Sequence, residues 1–256
     1  MTNKNNASKP CALVTGASSG IGRASAIRLS EEGMNIVLVS RNQKDLEITA
    51  QSIQTKTLII SADLEKLDKV QDCVQQAVDH FGRLDVLVNA AGIIGSGTVK
   101  STPFDDWKKM VDLNLHAVFL LMQAVIPHLE KTKGTIVNVS SVTGLRAFPG
   151  IASYCVSKAG VDQLTRCAAL ELAEKGIRVN AVNPGVVRTN LHKRGGMDSE
   201  TYTAFVEHSK STHPLGRIGE PEEVAELITF LATNKSSWIT GTTISIDGGR
   251  AQTCAR

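Results

Sequence analysis

The chain has 256 residues, of which 42% are hydrophobic and 21% are charged, as is usual for a globular protein. Its 28 basic and 25 acidic residues nearly balance, so we expect neither nucleic acid nor a membrane as a partner. We also expect no signal peptide, because the N-terminus MTNKNNASKP is polar and lacks an apolar core, and no membrane span, because no apolar run approaches ~18 residues. The cysteines form no CxxC pair and the histidines no HExxH, which predicts free thiols, no metal site and a cytoplasmic location.

The sequence predicts an α/β fold with one doubly wound parallel sheet. Residues 1–10 are polar and indicate a flexible tail, and residues 11–256 are expected to form a single domain. Short, continuously apolar runs alternate with amphipathic stretches, which is typical of parallel strands buried between two helical layers. We predict seven strands, at 11–15, 35–40, 57–61, 84–89, 135–140, 178–183 and 242–246. We predict helices at about 20–32, 43–53, 65–81, 104–130, 153–175 and 221–233.

A glycine-rich turn follows the first predicted strand. It reads Thr15-Gly16-Ala17-Ser18-Ser19-Gly20-Ile21-Gly22, and a helix begins within it. Glycines at these positions let the backbone approach a pyrophosphate, and the helix N-terminus offers free amides. The spacing is GxxxGxG rather than GxGxxG, so the turn alone is a weak indication of a dinucleotide-binding, Rossmann-type fold.

The end of the second predicted strand indicates which cofactor is used. NAD-dependent enzymes of this architecture usually carry an Asp or Glu there to bind the ribose 2′-hydroxyl. This chain has Ser40-Arg41-Asn42 instead. Because an arginine can pair with a 2′-phosphate, the sequence predicts NADP(H) over NAD(H).

Tyr154 and Lys158 are candidate catalytic residues at the start of the predicted helix 153–175. Their spacing places both side chains on one helix face. A nearby ammonium favours the phenolate, so we expect Lys158 to lower the pKa of Tyr154 and suit it to acid–base chemistry. Ser141 follows the strand 135–140 and could donate a hydrogen bond to a substrate oxygen.

Residues 186–219 interrupt the strand–helix rhythm. Excursions of this length in compact α/β domains are often functional, so we interpret the segment as a short substrate lid, with a surface insertion as the alternative. Gly195-Gly196 would act as its hinge, and Tyr202 and Phe205 would lie on an apolar helix face.

Together these motifs carry a family resemblance. TGASSGIG at 15–22, NAAG at 89–92, DLNLHAVF around Asn114, YCVSK at 154–158 and NPG at 183–185 resemble, in order and spacing, the short-chain dehydrogenase/reductase family. The resemblance extends from about residue 11 to 249. It implies an Asn-Ser-Tyr-Lys tetrad, which maps onto Asn114, Ser141, Tyr154 and Lys158.

The resemblance also implies roles for individual residues. Tyr154 would be the acid–base, Lys158 would also bind the nicotinamide ribose, and Asn114 would hold a water molecule that connects Lys158 to bulk solvent. Family members are usually tetramers built through the helices here predicted at 104–130 and 153–175, so a homotetramer, or a homodimer, is expected. The implied cofactor contacts are Gly16, Ser18, Ser19, Gly20, Ile21, Gly22, Ser40, Arg41, Asn42, Asp63, Leu64, Asn89, Ala90, Ala91, Gly92, Tyr154, Lys158, Pro184, Gly185, Val187 and Thr189.

Several substrate classes remain open. Within the family the chain most resembles animal proteins labelled 3-oxoacyl-carrier-protein reductase, but of the two positions that dock the carrier in bacterial members, Thr132 and Lys175 here, only one is basic. Steroid or ecdysteroid ketones are a further alternative. A non-catalytic NADPH-binding scaffold is a remote one, since the tetrad is complete.

The predicted substrate pocket is mostly apolar and favours a hydrophobic ketone. Arg146 would either meet an anionic group or face solvent. The predicted lining is Ser141, Leu145, Arg146, Phe148, Tyr154, Leu191, Tyr202 and Phe205.

Overall fold

The computed structural model describes residues 9–253 and forms one seven-stranded parallel sheet between two layers of helices. The strands are β1 Cys11–Thr15, β2 Asn35–Ser40, β3 Thr57–Ser61, β4 Val86–Asn89, β5 Thr135–Val139, β6 Arg178–Pro184 and β7 Thr243–Ile246. The α-helices are α1 Gly20–Glu31, α2 Gln43–Gln51, α3 Val70–Phe81, α4 Phe104–Val111, α5 Ala117–Thr132, α6 Val142–Leu145, α7 Ala152–Leu172, α8 Leu191–Arg194, α9 Ser199–Thr212 and α10 Pro221–Ala232.

The fold class predicted from the sequence is confirmed. The strand order is β3-β2-β1-β4-β5-β6-β7, so the chain winds outward in both directions from β1 and β4. Val14 of β1 pairs with Leu38 of β2 on one side and with Val88 of β4 on the other. In such sheets the strand carboxyl ends at this reversal form a cleft that binds ligands.

The strands are apolar at successive positions because they contribute to two hydrophobic cores, one on each face of the sheet. In β1, Leu13 packs into the core beneath α3, α5 and α7, whereas Val14 packs into the core beneath α1 and α10. Because successive strand residues point to opposite faces, a strand covered on both faces needs apolar residues at every position. Burial on both faces holds the strand ends, and therefore the cleft, rigid.

The long helix predicted at 104–130 is broken into three parts. A π-helical turn at Asp112–His116 separates α4 from α5. Within residues 9–253, only Phe104–Thr132 is long and apolar enough by composition to cross a membrane, with a mean hydropathy of 1.5 over its best window. In this structure Leu121, Val125 and Leu129 are buried in the core under the sheet, as in a core helix.

The chain ends lie partly outside the described residues. The predicted tail is described only at Lys9 and Pro10, which are exposed, and Cys254 is also outside. The four described cysteines are free thiols: Cys11, Cys73, Cys155 and Cys167.

Candidate active site

A cavity of about 1340 Å³ lies at the carboxyl ends of the strands. Asn89 and Asn114 are buried outside its lining. The lining contains most of the residues expected at the cofactor and catalytic site: Gly16, Ser18, Ser19, Gly20, Ile21, Gly22, Ser40, Arg41, Asn42, Asp63, Leu64, Ala90, Ala91, Gly92, Ser141, Tyr154, Lys158, Pro184, Gly185, Val187 and Thr189.

The turn between β1 and α1 forms a narrow backbone cradle. Gly16 and Gly20 have φ angles of +65° and +54°, which residues with a Cβ rarely adopt. A Cβ on Gly16 would lie 2.8 Å from the carbonyl oxygen of Ala90. Ser19 begins α1 without a side-chain cap, so the first amides of the helix keep their hydrogen-bonding capacity. The cradle fits a pyrophosphate at a helix N-terminus.

Thr15 joins this turn to the one after β4. Its hydroxyl oxygen accepts hydrogen bonds from the amides of Ala90 (3.0 Å) and Ala91 (3.1 Å) and the side chain is buried. Sequence reasoning missed this role, although the position of Thr15 at the end of β1, before Gly16, was a usable signal. The hydroxyl thus sets the distance between two walls of the cavity.

The end of β2 carries a charge cluster. Arg41 donates to Glu65 at 2.9 Å, and the ammonium of Lys109 lies 3.7 Å from the other oxygen of Glu65. All three residues line the cavity. Sequence reasoning identified Arg41 but missed Glu65 and Lys109, which come from distant parts of the chain.

Tyr154 and Lys158 lie one turn apart at the start of α7 and are 6% and 5% exposed. The Lys158 ammonium lies 5.8 Å from the centre of the Tyr154 ring. It donates to the carbonyl oxygen of Val139 at 2.8 Å, which ties α7 to the end of β5. Helical spacing and this contact bring both side chains to the same wall of the cavity.

The pKa of Tyr154 shifts in the opposite direction from the one predicted. Burial raises it to about 12, partly opposed by a hydrogen bond with Ser141. Burial also lowers the pKa of Lys158 to about 8, although Asp162 opposes this shift. Desolvation disfavours the phenolate and the ammonium alike. The expectation that Lys158 lowers the pKa of Tyr154 is therefore wrong for this structure, since removal from water dominates and the opposing contribution comes from Ser141.

Ser141 is held in place by two further hydrogen bonds. Its hydroxyl oxygen accepts from the amide of Thr143 at 3.1 Å, which caps α6. Its carbonyl oxygen accepts from the side-chain amide of Asn183 at 2.9 Å. Because the hydroxyl accepts at the cap, its proton is left to donate toward Tyr154 or a substrate oxygen.

Asn114 lies in the π-helical turn, a feature often found at functional sites. Its side-chain amide accepts from and donates to the backbone of Ile93, both at 2.9 Å, and also donates to Ser157. A Cβ on Gly92 would lie 3.2 Å from the Asn114 oxygen and 3.6 Å from the Lys158 ammonium. The structure therefore brings Asn114 and Lys158 together around Gly92, as the resemblance implied.

Comparison with known proteins agrees with this geometry. A family model described as enoyl-(acyl carrier protein) reductase matches residues 16–251. A 3-oxoacyl-[acyl-carrier-protein] reductase of Thermotoga maritima is 39% identical over 241 residues, covering 93% of this chain and 96% of the relative. The chain belongs to the short-chain dehydrogenase/reductase family.

Other members of the family differ in what they act on. A meso-2,3-butanediol dehydrogenase of Serratia marcescens is 37% identical, covering 93% of this chain and 92% of the relative. A short-chain dehydrogenase/reductase of Caenorhabditis elegans, solved with cofactor, matches with a TM-score of 0.90, 36% identity and 96% coverage of both chains. A carveol dehydrogenase of Mycobacterium avium, solved with NAD, also has a TM-score of 0.90, with 27% identity and coverage of 96% and 99%. The chain is therefore an oxidoreductase of this family that acts on alcohol or keto groups.

Beyond the tetrad, this short-chain dehydrogenase/reductase uses a buried histidine to support the Pro184-Gly185 wall. His213 ends α9, and its Nε2 accepts from the amide of Val186 at 3.1 Å. Its Nδ1 therefore carries the proton and donates to the carbonyl oxygen of Ser209 at 2.6 Å. Sequence reasoning missed His213, because nothing local distinguishes it from a core histidine.

The segment predicted as a lid contains α8 and α9, and it contributes Leu191 and Phe205 to the cavity. The ring of His192 packs against that of Phe205 with centroids 4.6 Å apart. Tyr202 does not line this cavity: its hydroxyl donates to the carbonyl oxygen of Thr189, 3.5 Å away, and its ring meets the Lys193 ammonium. The prediction for Tyr202 is wrong, because these contacts with Thr189 and Lys193 hold its side chain outside the cavity lining.

Three other predicted positions also lie off the cavity. Leu145 ends the short helix α6 and is 42% exposed. Arg146 is exposed and donates to the carbonyl oxygens of Ala251 and Thr253. Asn89 is turned into the sheet, where its amide donates to Asn138 at 2.9 Å. Phe148 lines the cavity as expected.

Within residues 9–253, no group of three or more histidine, cysteine, aspartate or glutamate side chains is placed to hold a metal ion.

Proposed function

We propose that the protein is an NADP(H)-dependent reductase that interconverts a ketone and a secondary alcohol, with Tyr154 as general acid–base. One observation carries the proposal: Ser141, Tyr154 and Lys158 line the same cavity as the glycine cradle at the end of β1. The apolar side chains of Leu191, Phe148 and Phe205 favour hydrophobic ketones over free sugars.

The residues of the site fit the two ends of the cofactor. The cradle of Gly16, Gly20 and Gly22 would hold the pyrophosphate, and Lys158 the nicotinamide ribose. When bound, NADPH would supply the hydride for the carbonyl carbon. The remaining expected contacts, such as Asp63 at the adenine and Thr189 near the nicotinamide, line the same cavity.

The protein's own part in reduction is the movement of one proton. Tyr154 would donate its hydroxyl proton to the carbonyl oxygen, and Ser141 would donate a hydrogen bond to the same oxygen as negative charge develops there. A pKa of about 12 keeps Tyr154 protonated at neutral pH, the form that a proton donor needs. Asn114 would assist by connecting Lys158 to solvent through a water molecule.

The activity is tested by NADPH oxidation with a panel of neutral ketones. We expect Tyr154→Phe to lower kcat by about 100-fold or more, the usual contribution of general acid catalysis, while NADPH affinity is kept. Tyr202→Phe, which removes the same hydroxyl group outside the cavity lining, is the matched control. A Tyr154→Phe enzyme as active as the wild type would refute the assignment.

NADP(H) is proposed because Arg41, and no acidic residue, directly follows the last residue of β2, Ser40. The ion pair with Glu65 holds the guanidinium at the cavity wall, where a 2′-phosphate would compete for it. We expect Arg41→Ala to reduce kcat/KM for NADPH about 10-fold or more and to change that for NADH little. Lys44→Ala, an exposed cation outside the cavity, is the control. A wild-type preference for NADH would contradict the proposal.

A 3-oxoacyl-thioester reductase is the second candidate, supported by the similarity to the 3-oxoacyl-[acyl-carrier-protein] reductase of Thermotoga maritima. Two side chains weaken the idea of carrier docking. Thr132 donates to the carbonyl oxygen of Leu84 at 2.9 Å, and Lys175 is paired with Glu130. Reduction of a small 3-oxoacyl thioester at a rate far above that of any simple ketone would favour this candidate, and a steroid ketone in the same panel tests the steroid alternative.

A further inference from the structure

Arg250 brings a positive charge to the wall of the cavity near Phe148. It begins the short 3₁₀ turn Arg250–Gln252, which follows β7, and it is half-buried. The guanidinium carbon lies 5.1 Å from the centre of the Phe148 ring, and one nitrogen donates to the hydroxyl of Thr212 at the end of α9. The side chain is therefore held between the 146–151 loop and the proposed lid, and Arg250 lines the cavity.

Among residues 9–253, no carboxylate lies within ion-pair distance of Arg250. Asp247 is near in sequence, but its two oxygens accept the backbone amides of Gly249 (2.9 Å) and Ala251 (2.6 Å) and so shape the turn. Burial lowers the pKa of Arg250, because its charge is removed from water, and the nearby charge of Asp247 opposes this shift. Within residues 9–253, by contrast, five other arginines form ion pairs: Arg28, Arg41, Arg83, Arg188 and Arg217.

We propose that Arg250 binds the carboxylate of the substrate, so that the substrate class is an apolar oxo acid, or the matching hydroxy acid. A guanidinium has five N–H donors in a planar fork that fits a carboxylate, and Thr212 engages one nitrogen. Phe148 supports the guanidinium plane, and Leu191 and Phe205 supply apolar walls for the carbon chain. This inference rests on the proposed ketone reduction but adds no catalytic step, since Arg250 would select the substrate.

The test compares oxo acids with their methyl esters, which keep the ketone and lose the charge. With NADPH, 4-oxopentanoate, 5-oxohexanoate and 6-oxoheptanoate cover a range of chain lengths. We expect the wild type to prefer the acid at one length or more. Arg250→Gln should lower kcat/KM for that acid by about 10- to 100-fold, mostly through KM, and leave the ester within about two-fold. Arg250→Lys should restore part of the preference, because it keeps the charge but not the fork.

Arg146→Gln is the matched control. Arg146 contacts the same C-terminal segment, through the carbonyl oxygens of Ala251 and Thr253, but it does not line the cavity. Removing its charge should leave the acid preference unchanged. An equal loss in both variants would mean that net charge near the site, rather than contact with Arg250, sets the preference, and would overturn the proposal.

Calorimetry of the oxo acids separates this inference from the proposed function. If no ketone supports NADPH oxidation, the proposed function is wrong, whereas carboxylate affinity can still be measured. Affinity that is absent from the wild type, or unchanged in Arg250→Gln, would contradict the role of Arg250. A lower oligomeric mass of Arg250→Gln with unchanged acid preference would show that the guanidinium meets a second copy of the chain, and would contradict it as well.

Discussion

Burial raises the pKa of Tyr154 and lowers the pKa of Lys158. Both side chains are almost fully buried, and burial disfavours the charged form of each. At neutral pH Tyr154 therefore keeps the proton it would donate, and Lys158 keeps most of its charge. The residues were identifiable from their spacing, but the direction of the tyrosine shift depends on how much water the folded protein excludes.

This arrangement predicts the pH dependence of ketone reduction. The pKa of Lys158 is lowered to about 8, so its charged form is present below that pH and is lost as the pH rises through it. We expect kcat/KM for a neutral ketone to fall above about pH 8, because neutral Lys158 no longer stabilises developing negative charge at the site. NADPH affinity, measured by fluorescence at each pH, separates loss of catalysis from loss of cofactor. A constant kcat/KM between about pH 7 and 10 would contradict the assignment.

At the scale of elements, one π-helical turn decides where Asn114 lies. The apolar pattern of residues 104–130 predicts one continuous helix, but the structure inserts the turn Asp112–His116. The wider turn allows the Asn114 side chain to bond the backbone of Ile93 in the loop after β4. A periodicity argument could not reveal this turn, because its effect on the apolar pattern is only one extra residue.

The proposed substrate lid contains the helices α8 and α9. Phe205 lines the cavity and packs on His192, so its ring should contact an apolar substrate. We expect Phe205→Ala to raise KM for hydrophobic ketones by about 10-fold, since a large apolar contact is lost, with little change in NADPH affinity. Val206→Ala, the next residue on the same helix and outside the cavity lining, should leave KM unchanged. Equal effects of the two variants in steady-state kinetics would argue against a substrate-contacting lid.

At the scale of the whole molecule, α5 and α7 leave apolar side chains exposed. Leu170 is 81% exposed, Val156 50% and Phe119 48%. Exposed apolar side chains can mark an interface, and the family resemblance implies assembly through these two helices. They support the proposed homotetramer or homodimer.

A charge in this surface should prevent assembly. We expect Leu170→Glu to shift the protein to a species of lower mass, because a carboxylate would be buried without a partner. Light scattering after size-exclusion chromatography measures the mass, and circular dichroism checks the fold. Val99→Glu, an apolar residue that is 93% exposed in a loop, should leave the mass unchanged. Wild-type mass in Leu170→Glu would place the interface elsewhere.

The sequence by itself determined the strands, the glycine cradle and the pairing of Tyr154 with Lys158. Each of these depends on local spacing: continuous apolarity in a buried strand, glycines in a turn, and four residues along a helix. The Asn-Ser-Tyr-Lys tetrad could also be predicted, because its motifs resemble a known family.

Only the tertiary structure decided which charges meet and which side chains reach the cavity. Arg41, after β2, forms an ion pair with Glu65, after β3. Arg146 donates to the C-terminal backbone instead of lining the cavity, whereas Arg250 does line it. These positions depend on contacts between segments that are distant in sequence and on the exclusion of water between them. Local sequence spacing predicts neither. For the same reason burial, rather than the neighbouring ammonium, sets the pKa of Tyr154.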